Sequence, residues 1–121
     1  MSGFRVKRAY DDPSPQDGRR VLVDRLWPRG LSRERAALDD WAKGVAPSAH
    51  LRTWFHEAPQ ERKDEFAVRY ADELAEPAQQ QALSELRATA REETVTLLTA
   101  TKDAEHSYLA VLLEQLDHPE G

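Results

Sequence analysis

Residues 94–100 read TVTLLTA. The run is short, uncharged and β-branched at Thr94, Val95, Thr96 and Thr99, the pattern of a strand buried on both faces of an α/β sheet. A second apolar run, RVLVDRL at 20–26, is stopped by Trp27-Pro28-Arg29-Gly30, because proline cannot donate to a ladder, and it reads as the central strand. A third, FRVKR at 4–8, alternates Phe4, Val6 and Arg8 against Arg5 and Lys7, which fits a half-buried strand at a sheet edge. The DDPSPQDG that follows is loop chemistry, and the link to residue 20 is about ten residues, short for a parallel crossover. The strands at 4–8 and 20–26 are therefore expected to be antiparallel if they are neighbours.

Between the last two strands the period changes to that of helices. Ser32 and Ser48 are capping residues, the second before Leu51, Trp54 and Phe55 at i, i+3 and i+4. Pro59 begins a longer segment striped by Phe66, Ala67, Tyr70, Ala71 and Leu74, and Pro77 opens a covering helix with Leu83, Leu86 and Ala90 on one face. A last helix over 104–116 uses Leu109, Leu112, Leu113 and Leu116. The expectation is an α/β fold: a single compact domain over residues 1–121, with a small mixed sheet of about three strands covered by helices.

A chain of 121 residues and 13.8 kDa has room for one core. No stretch approaches the roughly 20 apolar residues that span a bilayer, and no signal sequence is evident, so the cytoplasm is the expected compartment. With no cysteine, disulfides, thiolate zinc sites and cysteine nucleophiles are excluded. The net charge of -5 is uneven: residues 1–60 carry 11 Lys and Arg against 8 Asp and Glu, residues 61–121 carry 6 against 14. That acidity argues against tight non-specific nucleic-acid binding.

Parallel strands at 20–26 and 94–100 would share a carboxyl edge, where open α/β sheets bind ligands. The first strand delivers Arg25, Trp27, Arg29 and Gly30 to that edge, and the second delivers Thr99, Thr101, Lys102 and Asp103. Asp103 is the best N-cap of the following helix, whose free N–H groups favour an anion, and Lys102 and His106 add a point charge and a titratable donor. The competing reading is structural: Arg25 pairs with a carboxylate such as Asp24, Trp27, Trp41, Trp54 and Phe55 pack in the core, and His106 packs beside Leu109, Ala110 and Leu113. His50 and His56 are six apart and do not share a helix face, Asp39-Asp40 point different ways, and no familiar phosphate-binding or nucleophile motif occurs. No metal and no cofactor are expected.

VLVDRLWPRGLSRERAALDDWAKGVAPS at 21–48, LRTWF at 51–55 and TLLTATKDAEHSYLAVLLEQL at 96–116 closely resemble the YeaO-like family, a domain of unknown function (number 488) found in bacteria and archaea. The match is borne by Asp24 to Gly30, Trp41, Pro47, Ser48, Lys102, Asp103, Glu105 and His106. Where relatives often carry Asn after this histidine, the chain has Ser107. The resemblance implies a compact cytoplasmic α/β fold and brings no activity with it.

The leading expectation is that Arg25, Arg29, Lys102 and His106, with Trp27, Gly30 and Asp103, bind a small phosphate- or carboxylate-bearing ligand. Turnover is left undecided; His106 would be its general acid/base. The alternatives are a non-catalytic protein-interaction or homodimer module using the Trp27 and Trp54 region, and a nucleic-acid-associated protein, for which only the basic bias of residues 1–60 speaks.

Overall fold

The computed structural model describes residues 3–101 and 108–117. In chain order these form β1 (Gly3–Arg8), β2 (Arg19–Leu22), α1 (Arg33–Ala36), β3 (Asp40–Trp41), α2 (Ala49–Glu57), α3 (Lys63–Leu74), α4 (Pro77–Glu92), β4 (Thr94–Thr99) and α5 (Leu109–Asp117). The sheet has the order β1-β4-β2-β3. Every pairing is parallel, with Val6 opposite Leu97, Val21 opposite Leu97 and Leu22 opposite Trp41.

The α/β class holds, and two details of the sheet are corrected. It has four strands rather than about three, because the two-residue β3 leaves no hydrophobic period to read. It is parallel rather than mixed. β1 and β2 are separated by β4 and both run parallel to it, so the ten residues 9–18 carry the chain back along the sheet. A strand of four or six residues spans only about 13–20 Å and ten extended residues reach about 33 Å, so no crossover helix is needed.

That return is held by a buried ionic knot. Ser14 caps the 3-10 turn Pro15–Asp17. The Asp17 carboxylate accepts from Lys7 Nζ at 3.0 Å, Arg20 Nη1 at 2.5 Å and the Ser14 N–H at 2.9 Å, and its carbonyl accepts from Thr96 Oγ1 at 2.6 Å. Gly18 then passes so close to β4 that a Cβ there would lie 2.2 Å from the Thr94 carbonyl oxygen.

The sheet separates two apolar clusters. On one face Val21, Val23, Val95 and Leu97 meet Leu51 of α2, Phe66, Tyr70 and Leu74 of α3, Leu83, Leu86 and Ala90 of α4, and Leu109, Leu112 and Leu116 of α5. On the other, Leu22 and Leu98 are covered by Ala9, Leu31 and Ala36, with Tyr10, Trp27, Leu38 and Trp41 packed around them. Of the expected stripes, Phe66, Tyr70 and Leu74 of α3, Leu83, Leu86 and Ala90 of α4, and Leu109, Leu112 and Leu116 of α5 are buried, while Ala67, Ala71 and Leu113 are half-buried. Four helices cover one face, and the short α1 with loop segments covers the other.

Candidate functional site

The carboxyl ends of β2 and β4 lie side by side, Leu22 opposite Leu98, with one further ladder bond from the Val23 N–H to the Leu98 carbonyl at 3.1 Å. Where β2 leaves the sheet, Asp24 ties these ends together. Its Oδ1 accepts from Thr99 Oγ1 at 2.6 Å and from the Tyr108 hydroxyl, and its Oδ2 accepts from the Ala100 N–H at 2.7 Å. Its carbonyl accepts from Trp41 Nε1 at 2.7 Å. Burial, reinforced by the Asp24 carboxylate, pushes the Tyr108 hydroxyl far above an ordinary phenol, so it stays a donor. Deeper in, Tyr70 is likewise pushed well up by burial and donates to the Val45 carbonyl.

The structural pairing of Arg25 with Asp24 is not what forms. Asp24 is engaged by β4 and Tyr108, and Arg25 Nε donates instead to the Pro47 carbonyl at 3.1 Å. That single bond orients the guanidinium and leaves its terminal nitrogens without an ion pair among the described residues. Arg29 is exposed, and its carbonyl accepts from the Tyr10 hydroxyl at 2.8 Å. Trp27 donates from Nε1 to the Leu31 carbonyl at 2.6 Å and meets Trp41 edge-on, with centroids 5.5 Å apart.

Around these residues opens a cleft of about 760 Å³, within the range of small-molecule sites. Asp24, Arg25, Trp27, Arg29 and Thr101 line it from the strand ends, and Tyr108 from the start of α5. Gly30 is not among the lining residues: with φ of +75° and the Leu31 N–H bonded to the Pro28 carbonyl at 3.3 Å, it serves the turn, where glycine is favoured. Lys102, Asp103 and His106 lie outside the described residues.

The other side of the cleft escapes a reading confined to strand ends. Arg52, Phe55 and His56 reach it from α2, and Lys63, Asp64 and Phe66 from the start of α3. Arg52 and His56 are four apart, the spacing of one helix face, and that was the available signal. Neither Arg52 nor Lys63 has an ion pair among the described residues. Trp54 stands outside the cleft, its ring 4.8 Å from the Arg62 guanidinium and 4.3 Å from that of Arg69. No group of three or more potential metal ligands occurs among the described residues, and no described helix is long and apolar enough to cross a membrane.

The family model described as the inactive DUF488-N3 subclade, DUF488-N3i, matches residues 3–119. The chain belongs to this family. Uncharacterized protein Rv3073c of Mycobacterium tuberculosis is 48% identical over 113 residues, covering 93% of this chain and 92% of that one. Uncharacterized protein YeaO of Escherichia coli is 38% identical over 113 residues, covering 93% and 96%. No solved structure matches. The YeaO-like resemblance carried by DRLWPRG and the segment around residue 102 is thereby established.

Proposed function

We propose that this DUF488-N3i protein binds a small anionic ligand, phosphate- or carboxylate-bearing, in the cleft at the carboxyl ends of β2 and β4. The observation that carries the reading is the convergence of Arg25, Arg29, Arg52 and Lys63 on one cleft, none of them in an ion pair among the described residues. Unpaired cations beside a concave apolar surface are what an anion needs, and an arginine fork matches a carboxylate or phosphate bidentately. Asp24 lines the same cleft, but its carboxylate oxygens are taken by Thr99, the Ala100 N–H and Tyr108, and it forms no ion pair with these cations among the described residues.

Binding without turnover is the form of the proposal that the family's description as an inactive subclade supports. Lys102, Asp103 and His106 stay within it as further contacts from the segment between β4 and α5. A single domain over residues 1–121 and a cytoplasmic location belong to the same reading; the chain has no cysteine, hence none of the disulfides that staple small secreted domains.

Thermal unfolding with inorganic phosphate, phosphate monoesters and carboxylates, on the wild type and on Arg25→Ala, tests it. A ligand present at 100 times its dissociation constant stabilises by about 2.7 kcal/mol, a visible rise in midpoint for a chain this size. Stabilisation of the wild type that Arg25→Ala weakens is the expected result. If no anion moves the midpoint, the arginines are structural and the reading fails.

A further inference from the structure

The cleft holds more than a place for charge. Its interior surface is mostly carbon: Trp27 and Pro28 after β2, Pro47 ahead of α2, Phe55 on α2 and Phe66 on α3. Phe55 and Phe66 pack with centroids 4.5 Å apart, and Phe66 in turn lies 5.8 Å from Tyr70, so the aromatic wall is anchored in the core and held in place. At about 760 Å³ the space far exceeds what a bare phosphate or acetate fills. Leu26 adds an independent observation. It is 67% exposed, one of two large apolar side chains left this open among the described residues, and it lines this same cleft between Arg25 and Trp27. An apolar side chain left to water at the edge of a concave aromatic surface marks area that a ligand would cover.

From these features, and resting on the anion-binding reading above, we propose that the ligand is an amphipathic acid: a planar apolar body that lies against Trp27, Phe55 and Leu26, carrying one phosphate or carboxylate held by the Arg25 fork. The cations and the apolar wall then act on different parts of one molecule. Flat rings pack on aromatic side chains in offset or edge-on geometry, and the terminal nitrogens of Arg25, left over after Nε bonds to Pro47, take the anion. Burying the ring removes apolar area from water on both partners, which inorganic phosphate cannot do.

Calorimetric titration of the full chain with phenyl phosphate, inorganic phosphate and phenol, at one pH and ionic strength, separates the two parts. Phenyl phosphate is expected to bind at least tenfold more tightly than inorganic phosphate, a difference of about 1.4 kcal/mol. Arg25→Gln should weaken phenyl phosphate strongly. Leu26→Ser, at an exposed position where folding is not at stake, should lower the ratio of the two affinities several-fold. Equal affinities for phenyl phosphate and inorganic phosphate would overturn the amphipathic ligand while leaving the anion site standing. Binding of phenol as tightly as phenyl phosphate, or of none of the three, would overturn both.

Discussion

At the scale of single residues, Asp24 and Arg25 show how neighbours in sequence can part in role. The sequence shows an acid next to a base at a strand end and makes an ion pair the ordinary expectation. The structure sends the acid toward β4 and the base toward Pro47, because Thr99 and the Ala100 N–H meet Asp24 first. The consequence for Tyr108 is testable. Its hydroxyl donates to Asp24 from a largely buried position, and a hydrogen bond to a charged group is worth about 1.5–3 kcal/mol. Tyr108→Phe should lower the stability measured by urea unfolding by that amount, and an unchanged midpoint would remove the bond from the account. Because burial pushes both hydroxyls upward, helped by Asp24 at Tyr108 and by Glu73 and then Asp24 at Tyr70, neither should show the tyrosinate absorbance change above pH about 10 until the fold itself is lost. The place of Arg25, Trp27 and Arg29 along the cleft was legible, since a proline-terminated strand sets them at the sheet's carboxyl edge. Arg52 and Lys63 were not, since helical periodicity states which residues share a face and leaves open what that face meets.

At the scale of elements, β4 was legible because an uncharged β-branched run has few other places to go, and α3, α4 and α5 because their stripes are regular. The direction of β1 relative to β2 was not, since it depends on the length a return loop must span, and short strands relax the usual minimum. That loop makes its own prediction at Gly18. The residue sits at φ of +62° and ψ of -129°, and a Cβ would meet the Thr94 carbonyl oxygen at 2.2 Å, its carbonyl carbon at 2.9 Å and its Cβ at 3.0 Å, none of them the far end of a flexible side chain. Gly18→Ala should destabilise by about 3 kcal/mol, combining backbone strain with overpacking. Gly30 is the contrast: its φ is +75° but a Cβ there meets nothing within 4 Å, so Gly30→Ala should cost only about 1 kcal/mol. Denaturant midpoints for the pair that failed to differ would refute the close approach of the return loop to β4.

At the scale of the whole molecule, one residue, Asp17, links β1, β2 and β4 directly and α1 through Arg20, and its carboxylate gives stability its pH dependence. Asp17 is fully buried and holds Lys7 of β1 and Arg20 of β2, while its carbonyl takes Thr96 of β4; Arg20 in turn donates from Nε and Nη2 to the Ala36 carbonyl at the end of α1, at 3.1 and 3.0 Å. Burial alone would raise the Asp17 carboxyl, but Lys7, the Ser14 N–H and Arg20 outweigh it and hold it below the ordinary carboxylate range. The unfolded chain, with an ordinary value of about 3.9, therefore binds the proton more readily than the folded one. It follows that this contribution is complete above pH about 5 and is lost as acid carries the pH down through the folded value. Asp17→Asn keeps the shape and removes the charge, leaving the buried Arg20 without its counter-ion, a loss of about 3–5 kcal/mol at neutral pH. The gap between wild type and Asp17→Asn in denaturant unfolding should then shrink steadily as the pH falls below about 5, as the wild-type carboxyl becomes neutral like the amide. A gap that stays constant over that fall in pH would mean that the difference between Asp17 and its amide does not come from the carboxylate's charge, and the knot of Lys7, Asp17 and Arg20 would have to be read as neutral hydrogen bonding rather than as charge.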